Sequence, residues 1–399
     1  MKNFVQLTLA SSVLLTTVFL AGCDDEDELK LTGEKKEFAL SARSNPSISG
    51  MAIFEELEDN STRITIQLNG TQSGTSHPAH IHENTAAQGG DIVIDLASIN
   101  GSTGTSVTEV KAMKDGTAIT YDELLDFDGY INVHGSETDL ATLVAQGDIG
   151  QNELTGNTEV YTLAEVSASG VSGTATFAER ANGETLVTLD LDGTTAGVNS
   201  PAHIHMNSAA ETGGIAIDLT AVNGTTGLSL TNVTQLNAGT PILYSDLVNF
   251  DGYINVHASS TNLGTLLAQG DIGGNELTGD SEVYPLASVS DPNISGTVTF
   301  AERKNGATLV TISLQGTQAG GDHPAHVHMN NAATTGPITI SLSNVSGATG
   351  KSVTNVDQLN SGTAINYDGL INYNGYVNVH LSSSNLGTLI AQGNIGSNG

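Results

Sequence analysis

The chain has 399 residues, 12 basic against 43 acidic side chains (net −31), 38% apolar and 4% aromatic residues, no Trp and one Cys. That length exceeds one ordinary core and suits two or three domains of ~100–150 residues. The acidic surface repels phosphate backbones, which excludes nucleic acid as a partner, and a single cysteine excludes an intrachain disulfide. Cores must therefore rest on Val, Ile, Leu and Ala, while 46 Gly with frequent Thr, Ser and Asn favour short strands joined by turns.

In chain order, Met1-Lys2-Asn3 is followed by an apolar run from Phe4 to Leu20 and then Ala21-Gly22-Cys23. A short basic start, an apolar stretch and small residues before a cut site describe a secretory signal over residues 1–22. Leu20-Ala21-Gly22-Cys23 resembles a bacterial lipobox, which implies cleavage before Cys23 and lipidation of Cys23. The expected product is an exported protein, lipid-anchored in the bacterial cell envelope at the periplasmic face or the cell surface. Residues 23–35 begin Asp24-Asp25-Glu26-Asp27-Glu28 after the Cys and read as an acidic tether that holds the folded part off the membrane.

Beyond the tether the apolar period is two. Lys36–Leu40 opens a strand pattern; Thr62–Leu68 alternates strictly, and Asp91–Leu96 and Ser106–Val110 add further strands. Tyr121–Phe127 reads as one helical turn or a loop. Gly-rich breaks between the strands predict seven or eight antiparallel strands closing a sandwich or barrel.

The whole pattern repeats. Pro78-Ala79-His80-Ile81-His82 recurs at Pro201–His205 and, with Val327 for Ile, at Pro324–His328; Gly129-Tyr130-Ile131-Asn132-Val133-His134 recurs at Gly252–His257 and Gly375–His380. Both motifs advance by 123 residues at each step. A step of that size is a whole domain. The expected fold class is all-β, three tandem antiparallel sandwich or barrel domains of about 123 residues, at 36–158, 159–281 and 282–399. Short joins such as Glu276–Ser281 predict neighbouring beads with limited freedom.

All 11 histidines lie in the two motifs. Nine form the triads His80/His82/His134, His203/His205/His257 and His326/His328/His380; His77 and His323 precede Pro in copies one and three, where copy two has Ser200. Residues i and i+2 of a strand share a face, so His80 and His82 project together, and Tyr130, Asn132 and His134 share one face of their own strand. Should the two strands be neighbours, three imidazoles converge, a donor set suited to copper or zinc. His77, His323, water or a carboxylate would supply a fourth ligand; Glu56, Glu179 and Glu302 are the one acidic position kept in all copies. The competing reading is that the histidines and asparagines knit strands together by hydrogen bonds. Met206 and Met329, next to the His-x-His pairs, point away by parity and read as core.

The Pro-Ala-His-Ile-His and Gly-Tyr-Ile-Asn-Val-His pair resembles the CHRD domain, named after chordin. Gly90-Asp91-Ile92, Gly336-Pro337-Ile338 and Leu263–Gly270 match its middle and closing parts, whereas Asn84, Asn207 and Asn330 stand where the family usually has Gly. The resemblance implies a β-rich extracytoplasmic module without an assigned activity in microbial proteins. The His-Ile-His strand is also similar to that of copper/zinc superoxide dismutase, whose further histidines, disulfide and copper-side Arg this chain lacks.

No Gly-x-Ser-x-Gly elbow, P-loop or His-Glu-x-x-His is present, so catalysis would rest wholly on an open metal site with water in the fourth position. The function expected first is a binding or structural module at the cell envelope, membrane-held through Cys23 and contacting an extracytoplasmic protein or glycan. The second is a copper- or zinc-binding protein built on the triads, redox-active in one version.

Overall fold

The structure is a computed structural model and describes residues 29–399. The expected signal segment and Cys23 lie outside the described residues. Of the expected tether, the part from Leu31 onward is already strand.

The first unit has eight strands: β1 Leu31–Ala42, β2 Ser49–Leu57, β3 Thr62–Asn69, β4 Ser76–Glu83, β5 Ile92–Asn100, β6 Thr105–Val110, β7 Gly129–Ser136 and β8 Asp139–Ile149. They form a closed antiparallel barrel in the order β1-β2-β3-β6-β5-β4-β7-β8. Ser41 and Ala42 of β1 pair with Gln146 and Ala145 of β8. The seam between β5 and β6 holds by one pair, Asn100 with Thr105. Units two and three repeat the strand order as eight-stranded sheets.

Alternation explains the inside of the barrel. Ile64, Ile66 and Leu68 of β3 are buried, as are Ala79 and Ile81 of β4 and Ile131 and Val133 of β7. With few aromatics, one edge-to-face pair, Phe38 on Phe54 at 5.0 Å between centroids, anchors the first core. Tyr161–Phe177 and Tyr284–Phe300 take its place in the other two. The undecided stretch after β6 is a short helix, Tyr121–Leu125, started by a capping box: Thr120 Oγ1 accepts from Glu123 N, and Glu123 Oε2 accepts from Thr120 N.

Met206 and Met329 are not core. They are 48% and 43% exposed, because each is the last residue of its strand and lies past the rim of the barrel. Asn84, Asn207 and Asn330 adopt φ of 65°, 68° and 72°. This is the left-handed region, where Asn is the best substitute for Gly.

The units meet without a linker. Gly150–Asn152 forms a single 3-10 turn that runs from β8 into the first strand of unit two, Leu154–Glu165; Gly273–Asn275 does the same before Leu277–Ser288. The expected boundaries at 159 and 282 therefore fall inside strands. Gly150 has φ +60°, and a Cβ there would sit 2.0 Å from the carbonyl oxygen of Phe127. Each joint is locked by an arginine buried to 1% exposure. Arg180 donates to Asp148 at 2.7 Å and to the Asn152 carbonyl, and Arg303 donates to Asp271 at 2.9 Å and to the Asn275 carbonyl. Neither partner recurs in all three units: Leu57 holds the arginine position in unit one and Asn394 the aspartate position in unit three.

Candidate metal centre

Strand β4 lies between β5 and β7, so the two histidine motifs are direct neighbours. His80 faces Asn132 and His82 faces Tyr130 across the β4–β7 ladder. Ala79, Ile81, Ile131 and Val133 fill the core, which places the histidines on the outer face of the barrel wall. The β7–β8 register shifts after Val133, with Val144 the extra residue on β8, and His134 keeps the outward parity of Asn132 beside the β4 pair. In each unit the triad offers three imidazole nitrogens lying within 4.8 Å of one another: His80/His82/His134, His203/His205/His257 and His326/His328/His380.

The outer nitrogens fix the tautomers. His82 Nδ1 lies 2.9 Å from the Gly90 carbonyl oxygen, and His134 Nδ1 lies 2.7 Å from that of Leu140. A carbonyl can only accept, so both Nδ1 atoms carry the proton and both Nε2 atoms present lone pairs. The same bonds recur from His205 to Gly213 and His257 to Leu263, and from His328 to Gly336 and His380 to Leu386. The second ring of each His-x-His pair stacks on the tyrosine opposite, His82 on Tyr130 at 4.8 Å between centroids. Gly90 N donates to the Tyr130 hydroxyl at 3.1 Å. Gly90 must be glycine, since a Cβ would meet the Glu83 carbonyl oxygen at 2.1 Å.

An amide pair supports the middle of the site. Gln146 Nε2 donates to Asn132 Oδ1 at 2.8 Å, which turns Asn132 Nδ2 toward His82 Nε2 at 3.3 Å. Gln269–Asn255 and Gln392–Asn378 repeat the first bond. In unit two the three inward nitrogens, His203 Nδ1, His205 Nε2 and His257 Nε2, are buried and meet no hydrogen-bond partner among the described residues. Burial pushes the imidazoles of His80, His134, His203, His257, His326 and His380 below the ordinary histidine range, which keeps them neutral and able to donate lone pairs.

The remaining candidates stand apart. His77 Nδ1 donates to the carbonyl oxygen of His134 at 3.0 Å, and His323 Nδ1 to that of Leu381 at 2.8 Å. Both buttress the strand that carries the third histidine, and neither joins the cluster. Glu56, Glu179 and Glu302 accept from Thr32, Thr155 and Thr278 on the neighbouring strand, away from the imidazoles. Two carboxylates that are not kept in all copies do adjoin the site: Asp95 Oδ1 is 4.0 Å from His80 Nε2, and Asp218 Oδ1 is 3.7 Å from His203 Nε2. The signal for them was a position acidic in two copies of three.

The donor set suits a borderline or soft-accepting cation. Two nitrogens at ~2.0–2.1 Å from one ion at a tetrahedral angle lie ~3.3–3.4 Å apart. His80 Nδ1 and His134 Nε2 are 3.1 Å apart, and His326 Nδ1 and His380 Nε2 are 3.2 Å apart. The protein supplies three ligands and leaves the fourth position for water or an exogenous ligand, as open zinc sites do.

Residues 151–266 match the family model of the CHRD domain, a segment that contains the complete triad of unit two. The units on either side repeat its strand order and its triad. No curated protein and no solved structure matches the chain.

Proposed function

We propose that the protein is an exported, membrane-tethered metal-binding module whose three barrels each hold one copper or zinc ion through three imidazoles. The observation that carries this reading is the set of inward nitrogens in unit two: three buried lone-pair donors converging with no protein partner. Buried polar atoms are almost always satisfied, and each one left bare costs about 1–3 kcal/mol. Three together at ligand spacing are accounted for by a cation. The outer nitrogens support both readings of the histidines, because bonds from Nδ1 to carbonyls knit the strands and also orient the rings as ligands. In unit two, strand knitting alone leaves the inner nitrogens without a partner.

Attachment through Cys23 completes the proposal. The chain's one cysteine stands at the end of the apolar leader, and one acyl-bearing site with the acidic segment after it would hold three barrels at the envelope surface. Contact with an extracytoplasmic protein or glycan would then gain avidity from the tandem arrangement.

The test is metal content. Full-length protein made without a His tag is dialysed against Zn²⁺ or Cu²⁺ and analysed for bound metal. Three equivalents are expected, falling to two when His203, His205 and His257 are changed to Ala. Retention of no metal refutes the reading. For the anchor, Cys23→Ser should move the protein from the membrane fraction to the soluble one.

A further inference from the structure

We infer that the three centres are graded in affinity, unit two above unit one above unit three, and that the residue across the strand from the first histidine of each triad sets the order. This rests on the metal-binding reading and deepens it.

The register is the same in all three units, but the side chain is not. His80 pairs with Asp95, His203 with Asp218 and His326 with Ser341. In unit two, Asp218 Oδ1 stands 3.7 Å from His203 Nε2, and its other oxygen accepts from Asn237 Nδ2, a neutral donor, at 3.1 Å. In unit one, Asp95 stands farther, at 4.0 Å, and the same oxygen accepts from the Lys114 ammonium at 3.0 Å. That cation offsets much of the carboxylate's field at the imidazole. In unit three, Ser341 carries no charge and its hydroxyl accepts from Asn360.

A carboxylate behind a histidine ligand acts in two ways. It holds the proton on the outer nitrogen, so the lone pair of the inner one faces the ion, and it strengthens that donor when the ion withdraws electron density. Asp218 thus keeps the proton of His203 on Nε2 and turns the Nδ1 lone pair inward. Without such a partner, His326 is free to carry its proton on Nδ1 and donate it to His380 Nε2, 3.2 Å away, which closes the site on itself. The hydrogen-bond pattern sets unit two apart from the other two. The inner nitrogens of the first and third histidines are at bonding distance in units one and three, while in unit two all three inner nitrogens are bare.

Unit three lacks a second support. Asp148 and Asp271 each hold the loop after the His-x-His strand, accepting from Ala86 N and Ala209 N at 2.8 Å, while the arginine of the next unit grips the other oxygen. Asn394 holds the corresponding loop through Ala332 N at 2.9 Å, and as a neutral amide it offers no carboxylate for an arginine to grip. Asp95, Asp218 and the joint aspartates are positioning residues: none touches the ion.

Asp95 and Asp218 are 58% and 69% exposed on their side chains, so water screens them, and the expected effect lies toward the lower end of the ~10–100-fold cost of losing such a partner. The experiment uses the full chain with a single triad left intact, the first and third histidines of the other two being Ala. Zn²⁺ affinity is measured at neutral pH by competition with a chelator. The unit-two chain should bind about tenfold or more tightly than the unit-three chain, with unit one between them. Asp218→Asn should weaken unit two about tenfold and Asp218→Glu should recover most of the loss. Ser341→Asp, at an exposed position, should strengthen unit three, a gain that no purely structural role for the aspartate would produce. Equal affinities in the three chains, or no gain from Ser341→Asp, overturn the grading while leaving metal binding intact. Absence of Zn²⁺ binding in all three overturns both.

Discussion

Arg180 reaches from the second barrel into the first and donates to Asp148 at 2.7 Å, with its guanidinium fully enclosed and the carboxylate 15% exposed. Arg303 and Asp271 repeat the pair at the next joint. A buried pair of this kind is costly to break from one side, because the surviving charge is left without a partner. Arg180→Ala should therefore destabilise the chain by about 3–5 kcal/mol, read from chemical denaturation. The double variant Arg180→Leu with Asp148→Asn, which copies the residues at the equivalent positions of units one and three, should recover a large part of that loss. A double variant as unstable as Arg180→Ala would contradict this account of the joint.

The glycine beside the second histidine is a second point of leverage. A Cβ on Gly213 would lie 1.9 Å from the Met206 carbonyl oxygen. Gly213→Ala must push the loop off the strand end and withdraw the carbonyl that fixes His205 Nδ1. Stability should fall by about 1–3 kcal/mol, and Zn²⁺ affinity at unit two should fall about tenfold or more. Metal competition assays on a chain with only that triad intact would check the second figure.

Acid should act on the metal-free protein through the triads. In His80, His134, His203, His257, His326 and His380 burial lowers the pKa in the folded state relative to the unfolded chain. The unfolded state then binds more protons, so this contribution to stability is complete above the ordinary histidine pKa of ~6.5 and is lost as pH falls through the folded values. Denaturation midpoints of metal-free protein should drop as pH is lowered from about 7 to 5. The drop should be smaller in a variant with those six residues changed to Gln. An equal drop in both would place the acid sensitivity elsewhere.

Much of the architecture was legible from spacing. The 123-residue step defined three units, and period-two alternation placed His80 with His82 on one face and Ile81 on the other. Convergence of His134 follows from the same parity, whereas the extra residue Val144 on the neighbouring strand depends on ladder geometry that no alternation pattern records. The joint leaves no repeated signature for a different reason: a contact between successive units draws its two partners from different copies, so neither recurs in all three. Arg180 and Arg303 against Leu57, with Asp148 and Asp271 against Asn394, form that complementary pattern. Asp95 and Asp218 against Ser341 escaped the same way. The start of each unit was set several residues late because Leu31, Leu154 and Leu277 begin strands whose first residues are exposed and polar and show no clear alternation.

X-ray absorption on the zinc-loaded full-length chain tests the central claim most directly. Three imidazole nitrogens per zinc at ~2.0–2.1 Å, with one further light scatterer, are predicted. A spectrum of oxygen scatterers alone, without imidazole multiple scattering, would show that the triads are not where the metal binds.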